Sequence, residues 1–261
     1  MGRTIGVFDS GMGGLTVLRA LRAELPSTDF VYLGDTARLP YGTKSPLTVA
    51  RYAKQAADRL VERGVDALVI ACNTASGIAL AELQAHFAPL PVYGVVDPGS
   101  RAACEVMDAS GVLVLATEST VRWGAYQRAI AELRPDVPVH ARACPLWVTL
   151  AEQGLVEGSV ADAVLGHYLR GFEINGPTTL LLGCTHFPVF APGLSARLPD
   201  YTIVDSAATT AIAVARDLGS EDSQEGTGRV LFLATDGAVR FKRVGGFFLG
   251  APIDYVELVD L

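Results

Sequence analysis

Short apolar segments alternate with longer segments of helical periodicity along the whole chain of 261 residues. The apolar segments are rich in β-branched residues and show little internal alternation, which is typical of strands covered by helices on both faces of a parallel sheet. This rhythm predicts parallel α/β architecture. The predicted strands span residues 4–8, 29–33, 67–71, 91–95, 111–116, 137–142, 178–182, 202–204 and 229–234. The predicted helices span residues 15–24, 46–63, 76–87, 100–108, 121–133, 159–172 and 208–218, and a polar loop is predicted over residues 219–228.

Polar residues follow three of the predicted strands directly. They are Asp-Ser-Gly at residues 9–11, Cys-Asn-Thr at residues 72–74 and Gly-Cys-Thr-His at residues 183–186. Open α/β sheets bind ligands at the carboxyl ends of their strands, so all three turns are candidate site segments. The pattern restarts after Asp97-Pro98, and both Cys72 and Cys184 stand between an apolar run and a predicted helix start. This echo indicates two related halves, each with one cysteine.

Composition narrows the classes of protein that fit this pattern. Half of the residues are hydrophobic, only 19% are charged, and the mean hydropathy is +0.32, which indicates a large core and favours an interface between domains or subunits. No apolar run is long enough to cross a membrane, and the start of the chain lacks a secretion signal, so we expect a cytoplasmic protein. The net charge of −7 argues against a nucleic-acid groove but leaves a small anionic substrate open.

The loop Asp-Ser-Gly-Met-Gly-Gly at residues 9–14 joins a predicted strand to a predicted helix. Its backbone amides could bind an anion at the helix N-terminus. Asp9 or Ser10 could equally cap the helix, with the glycines serving a tight turn. The loop does not match a nucleotide-binding motif, and the carboxylate of Asp9 would repel phosphates.

Each of the two cysteines has a structural interpretation beside a functional one. A helix N-terminus next to Cys72 would lower its pKa and favour the thiolate, whereas a buried cysteine can also act simply as a small apolar residue. His186 lies two residues after Cys184 and could relay a proton or activate the thiol. Cys184 and His186 could instead be half of a zinc site with Cys72 and Asp9, or Cys184 could be a nucleophile in acyl transfer, which would leave Cys72 unexplained.

The pair of thiols favours a symmetric reaction. Inversion at an amino-acid Cα requires removal of a proton from one face and its return to the other. One base cannot easily reach both faces, whereas two opposed thiols can exchange the roles of acid and base. No cofactor motif is visible, so the protein itself would have to stabilise the carbanion.

Other candidate residues have weaker signals. Glu152 lies in a mostly apolar segment and is either a partner on the Cys184–His186 side or a carboxylate at a surface helix end. Tyr41-Gly42 forms a turn that could present amides and a phenol to a substrate carboxylate, or is an ordinary turn. Thr117 and Thr120 begin a predicted helix and are interpreted as its caps, with contact to a ligand as the alternative. Structural roles are predicted for Cys104, Cys144, His86, His140 and His167.

Five ordered motifs resemble those of the glutamate racemases: VFDSGMGGLTVLRAL, GDTARLPYG, ACNTAS, GVVDPGS and LLGCTHFP. The resemblance runs from about residue 4 to residue 215. It implies two similar α/β domains with the active site in the cleft between them, no pyridoxal phosphate, and conversion of L-glutamate to D-glutamate for peptidoglycan synthesis. From the residues we also expect no metal and no other cofactor. We expect residues 1–96 and 206–261 to form one domain and residues 97–205 the other.

The resemblance also implies roles for individual residues. It makes Cys72 and Cys184 the acid/base catalysts, with Asp9 beside the first thiol, His186 beside the second, and Glu152 supporting His186. The residues that it implies for substrate binding are Asp9, Ser10, Tyr41, Gly42, Asn73, Thr74, Thr185 and His186. Trp123 departs from the smaller residue expected near the start of its helix.

Two alternatives remain open from the sequence. An aspartate racemase would use the same two thiols, but its relatives tend to have a different glycine-rich start and Glu in place of His186. A catalytically silent binding or regulatory protein would not need both thiols together with Asp9 and His186. We expect a homodimer, with glutamate as the substrate and without a nucleic-acid or membrane partner.

Overall fold

A computed structural model describes residues 2–172, 176–219 and 227–261, and it contains two parallel sheets flanked by helices. The first sheet comprises strands β1 Thr4–Asp9, β2 Asp29–Gly34, β3 Ala67–Ile70, β4 Val92–Gly94, β9 Val230–Ala234 and β10 Glu257–Leu258. The second comprises β5 Val112–Ala116, β6 Val139–Ala143, β7 Thr179–Gly183 and β8 Thr202–Asp205. Every strand pair is parallel, which confirms the predicted fold class.

The two sheets share one strand order. The first runs β10-β9-β2-β1-β3-β4 and the second runs β6-β5-β7-β8, so β2-β1-β3-β4 corresponds to β6-β5-β7-β8. In each sheet the chain crosses to opposite sides of the central strand, which makes the crevices between β1 and β3 and between β5 and β7 the switch points where ligands bind. Cys72 follows β3 and Cys184 follows β7, so the echo in the sequence reflects corresponding positions in two related sheets.

The helices cover both faces of the sheets. They are α1 Leu15–Glu24, α2 Pro46–Val61, α3 Asn73–Phe87, α4 Val96–Val106, α5 Glu118–Trp123, α6 Ala125–Leu133, α7 Pro145–Glu152, α8 Ser159–Leu169, α9 Ala191–Arg197, α10 Ser206–Leu218 and α11 Ala238–Leu249. Short 3-10 turns lie at Tyr41–Thr43 and Phe187–Phe190. Helices α7, α9 and α11 had no counterpart in the sequence-based prediction. No helix of the described ranges is both long and apolar enough to cross a membrane.

Several predicted helix boundaries differ from the observed ones, and two of these differences are the following. The helix predicted over residues 121–133 is two helices, because Gly124 has a φ of +64° that ends α5 and begins α6. The helix predicted from residue 76 begins at Asn73, so α3 starts directly after Cys72. Most of the polar loop predicted over residues 219–228 lies outside the described residues.

The core is continuous between the sheets. One cluster of buried side chains includes Val7 and Val69 of the first sheet together with Leu113 and Leu182 of the second. Two further clusters fill the outer faces, one beneath α2 and α3 and one beneath α4 and α6. The shared cluster holds the carboxyl ends of both sheets close together. The exact domain boundaries remain a prediction.

Candidate active site

A small cavity lies where the two switch points meet. Its volume is about 30 Å³, and its wall is formed by Ser10, Pro40, Tyr41, Gly42, Cys72, Asn73, Thr74, Thr117, Val148, Cys184, Thr185 and His186. The structure thus brings together at one wall nine of the residues singled out in the sequence as catalytic or substrate-binding. The remaining two, Asp9 and Glu152, lie behind this wall and contact it through hydrogen bonds.

Cys72 occupies the N-cap position of α3 and is only 5% exposed. Its thiol donates to Ser10 Oγ at 3.7 Å. Burial, together with the nearby Asp9 carboxylate, raises the pKa of Cys72 to about 12, although the backbone amide of Ala75 acts in the opposite direction. The expectation of a lowered pKa was therefore wrong, because loss of solvation outweighs the helix N-terminus.

Cys184 is the counterpart of Cys72 in the second sheet. Its sulfur lies 3.9 Å from His186 Nδ1, and the residue is also 5% exposed. Burial raises the pKa of the Cys184 thiol, and the negative charges of Asp9 and Cys72 act in the same direction. Each thiol would therefore resist ionisation most strongly while the other is a thiolate, so two thiolates at once are disfavoured.

Asp9 ends β1 and is fully buried between the two thiol-bearing segments. One carboxylate oxygen accepts from the Gly11 amide at 2.9 Å, and the other accepts from Thr185 Oγ1 at 3.2 Å. Burial raises the pKa of Asp9, and the positive charge available on His186 opposes this effect. Asp9 is thus a buried carboxyl within electrostatic reach of both thiols.

His186 is held from behind by Glu152, the last residue of α7. Glu152 Oε1 lies 3.1 Å from His186 Nε2, and Oε2 accepts from Arg240 of α11 at 2.7 Å. Burial would raise the pKa of Glu152, but the hydrogen bonds from His186 and Arg240 outweigh it and lower the pKa. The second thiol therefore stands at the end of an ordered chain of polar groups, and the interpretation of Glu152 as a surface carboxylate is wrong.

Threonine hydroxyls form a further part of the cavity wall. Thr74 Oγ1 lies 3.0 Å from Thr117 Oγ1 and 3.1 Å from Thr120 Oγ1. Thr117 occupies the N-cap position of α5, as predicted, but its side chain makes no capping hydrogen bond, and Thr120 lies inside the helix and not at its cap. Thr117 directly follows β5 and lines the cavity, so the rule that singled out the other strand ends also applies to it.

The side chain of Asn73 is fixed by Tyr126, whose hydroxyl donates to Asn73 Oδ1 at 2.6 Å. This contact leaves Asn73 Nδ2 buried and without a hydrogen-bond partner in the described part of the structure. A buried amide without a partner is costly, and the oxygen of a ligand in the cavity would supply the missing acceptor.

Tyr41 and Gly42 both line the cavity, but the phenol hydroxyl of Tyr41 is not free to donate a hydrogen bond to a substrate. The Tyr41 hydroxyl donates to the buried Asp35, which also pairs with Arg38 at 2.7 Å. The phenol that could have bound a substrate carboxylate is therefore already committed. Gly42 packs so closely against Thr117 that a Cβ would lie 2.8 Å from that side chain.

The residues for which structural roles were predicted are not part of this cavity wall: Cys104, Cys144, His86, His140 and His167. Trp123 is also outside it and is 39% exposed at the end of α5. Within the described ranges, no three side chains of His, Cys, Asp or Glu are grouped as ligands for a metal ion.

Two parallel sheets of one strand order meet at a cavity lined by two thiols, and this fold is that of a known class of isomerases, the racemases. The chain belongs to the Asp/Glu/Hydantoin racemase family, whose sequence model matches residues 14–214. It is 44% identical to the glutamate racemase of Geobacter metallireducens, over 99% of this chain and 97% of the relative.

Solved structures agree with this assignment. Glutamate racemase from Thermus thermophilus, in complex with β-chloro-D-alanine, is 43% identical and superimposes with a TM-score of 0.88, covering 100% of this chain and 98% of the other. The enzyme from Francisella tularensis, in complex with D-glutamate, is 34% identical with a TM-score of 0.90, covering 99% and 98%. The resemblance seen in the sequence motifs is thereby confirmed.

Proposed function

We propose that this racemase interconverts L- and D-glutamate, with Cys72 and Cys184 as its two acid/base groups. The observation that carries the proposal is the entry of both thiols into one cavity from corresponding strand ends of two related sheets. The full-length similarity to glutamate racemases favours glutamate over aspartate as the substrate.

The reaction transfers one proton out and one proton in. The thiolate on one face of the substrate takes the Cα proton, and the C–H electron pair remains as a carbanion conjugated with the carboxylate. The thiol on the other face then donates its proton to Cα. The enzyme ends with the two protonation states exchanged and is ready for the reverse direction.

The raised pKa values of the thiols mean that a thiolate needs help in this cavity. The α-ammonium group of a bound amino acid supplies a positive charge, which lowers the pKa of a nearby thiol and also weakens the Cα–H bond. Asp9 lies close to Cys72, and His186 lies next to Cys184, so each thiol has a group that can hold its proton.

The α-carboxylate of the substrate fits the unpartnered Asn73 amide and the hydroxyls of Thr74 and Thr117. Asn73 Nδ2 gains the acceptor that it lacks, and the hydroxyls can turn their protons towards an anion. Donors that are already oriented stabilise the charge that moves onto the carboxylate as the carbanion forms.

The cavity is too small for this substrate in its present closed form. A volume of about 30 Å³ holds roughly two water molecules. We therefore infer that the two sheets move apart for glutamate to enter and close again to exclude water during proton transfer.

Chiral chromatography tests the substrate. The purified protein is incubated with L-glutamate and, in parallel, with L-aspartate. We expect D-glutamate as the main product, and D-aspartate as the main product would contradict the assignment. In deuterated water, deuterium should enter Cα of glutamate, whereas a silent binding protein would leave Cα unlabelled.

Alanine variants test the roles of the thiols. Cys72→Ala and Cys184→Ala should each abolish racemisation, because each removes the group that serves one face of Cα. Cys104→Ala, at a half-buried cysteine outside the cavity wall, is the matched control and should retain full turnover. Near-normal turnover in either Cys72→Ala or Cys184→Ala would reject the two-base scheme.

The wider setting is also a proposal. We infer that the protein acts in the cytoplasm as a homodimer and supplies D-glutamate for peptidoglycan. Its low content of charged residues, 19%, supports burial of further surface between subunits. Light scattering coupled to size-exclusion chromatography should give twice the mass of one chain. Cells depleted of this protein should stop growing, and added D-glutamate should restore their growth.

A further inference from the structure

Helix α11 contacts the Cys184 side of the site at two points, although its sequence carries no recognisable motif. Arg240, in its first turn, donates to Glu152 Oε2 at 2.7 Å. Phe248, about two turns later, packs edge-on against the His186 ring with 5.1 Å between ring centroids. The helix packs on α1 beside the first sheet, whereas Glu152 and His186 belong to segments around the second.

The contact at Arg240 continues to the thiol through two side chains. Glu152 uses one oxygen for Arg240 and the other for His186 Nε2. The opposite ring nitrogen, Nδ1, faces the Cys184 sulfur at 3.9 Å. Each carboxylate oxygen thus has one partner, and the geometry at one end limits the geometry at the other.

The tautomer of His186 follows from this arrangement. A carboxylate only accepts hydrogen bonds, so Glu152 requires a proton on Nε2. In a neutral ring, Nδ1 is then the unprotonated nitrogen and can accept the proton of the Cys184 thiol. A carboxylate that turned away would free the ring to carry its proton on Nδ1, where it could no longer act as the acceptor.

We propose that Arg240 is a positioning residue for the Cys184 half of the reaction, because it holds the Glu152 carboxylate in the orientation that presents His186 Nδ1 to the thiol. This inference rests on the proposed function. Arg240 lies outside the cavity wall and acts only through Glu152. Since α11 belongs to the first sheet, the ion pair also links the two sides of the cleft when it is closed.

The expected effect is moderate. Glu152 is 12% exposed and Arg240 is 43% exposed, so water screens part of the interaction. Replacement of Arg240 by methionine should lower kcat/KM by about tenfold, as expected for loss of one charge-assisted hydrogen bond that is partly exposed. The two enantiomers have equal free energies, so kcat/KM must fall equally in both directions.

The decisive variants are Arg240→Met, Arg240→Lys and Arg243→Met. Arg243 is the matched control, because it is an exposed arginine on the same helix without a carboxylate partner among the described residues. We expect R240M to lose activity, R240K to recover most of it, and R243M to equal the wild type. Equal activity of R240M and R243M would overturn the proposal.

An isotope effect distinguishes positioning from a general loss of structure. With substrate deuterated at Cα, R240M should show a larger isotope effect in the direction that uses Cys184 as the base, and no increase in the other direction. A change of the same size in both directions, or in neither, would overturn the proposal.

A double-mutant cycle tests whether Arg240 acts through Glu152. E152Q alone should lower kcat/KM strongly, and the E152Q/R240M protein should lose less than a further twofold. Additive losses would show that Arg240 acts by another route and would overturn the proposal. If R240M does not fold, R240Q carries the same comparisons. A wild-type protein without glutamate racemisation would instead reject the proposed function itself, which separates the two failures.

Discussion

Gly13 lies where the loop after β1 passes the His186 ring, and its replacement by alanine tests whether that ring must stay in place. A Cβ at Gly13 would lie 2.4 Å from His186 Nδ1 and 2.6 Å from Thr185 Oγ1. Ordinary contact begins at 3.4 Å, so the Gly13→Ala variant requires these two side chains to retreat by about 1 Å.

The ring has little freedom to retreat. Its Nε2 is bound to Glu152 at 3.1 Å, and its face packs against Phe248. Overpacking of this kind costs about 1–3 kcal/mol, which lowers the Tm by roughly 2–10 °C in a protein of this size. A displacement of about 1 Å at an acid/base group can lower catalysis by about 100-fold.

The assay compares Gly13→Ala with Gly11→Ala in kcat/KM for both enantiomers and in Tm. Gly11 lies in the same loop, but its added Cβ would be 3.5 Å from Leu39, an ordinary contact. We expect G11A to resemble the wild type and G13A to lose about 100-fold in kcat/KM with a smaller change in stability. Activity of G13A within twofold of the wild type would refute the argument that His186 must stay in place.

Three further predictions follow from the same network. The pKa of Cys72 is raised to about 12 in the folded state. The folded protein therefore keeps the thiol proton above about pH 9, where the unfolded chain releases it. Because of this difference, the free energy of unfolding should fall by on the order of 1 kcal/mol between pH 8 and 10. Chemical denaturation should show a smaller fall for Cys72→Ser, and an equal fall would contradict this assignment. Tyr126→Phe frees the Asn73 amide to rotate, so the KM for glutamate should rise about fivefold, whereas the exposed Tyr255→Phe should leave it unchanged; no difference between them would contradict the role of Tyr126. Asp35→Ala removes the buried anion that pairs with a partly exposed arginine, so the free energy of unfolding should fall by about 2–3 kcal/mol, and an unchanged denaturation midpoint would show that this pair contributes nothing.

The local pattern of the chain was enough to predict most of the architecture. A buried parallel strand must be apolar on both faces, so β1, β3, β5 and β7 are visible as uninterrupted apolar runs. The polar residue that follows such a run lies at the carboxyl end of the sheet by geometry alone. Cys72 and Cys184 were therefore placed near a site before any tertiary contact was known.

Helices without such a local signal were not predicted from the sequence. Helix α11 contains two adjacent glycines, Gly245 and Gly246, which weaken a helical pattern. Gly245 allows close packing in this segment, because a Cβ there would lie 2.8 Å from the side chain of Leu15 of α1. The close packing of α11 against α1 stabilises this segment as a helix, and the sequence around it does not reveal that contact.

Sequence patterns could not predict hydrogen bonds between residues that are far apart in the chain. Arg240 pairs with Glu152 across 88 residues, and Tyr126 pairs with Asn73 across 53. The sequence by itself determined the strand ends, the two cysteines and the family to which their motifs belong. Only the tertiary structure decided which side chains meet and how far burial raises the pKa of Cys72, because desolvation depends on every atom that excludes water and not on the neighbours along the chain.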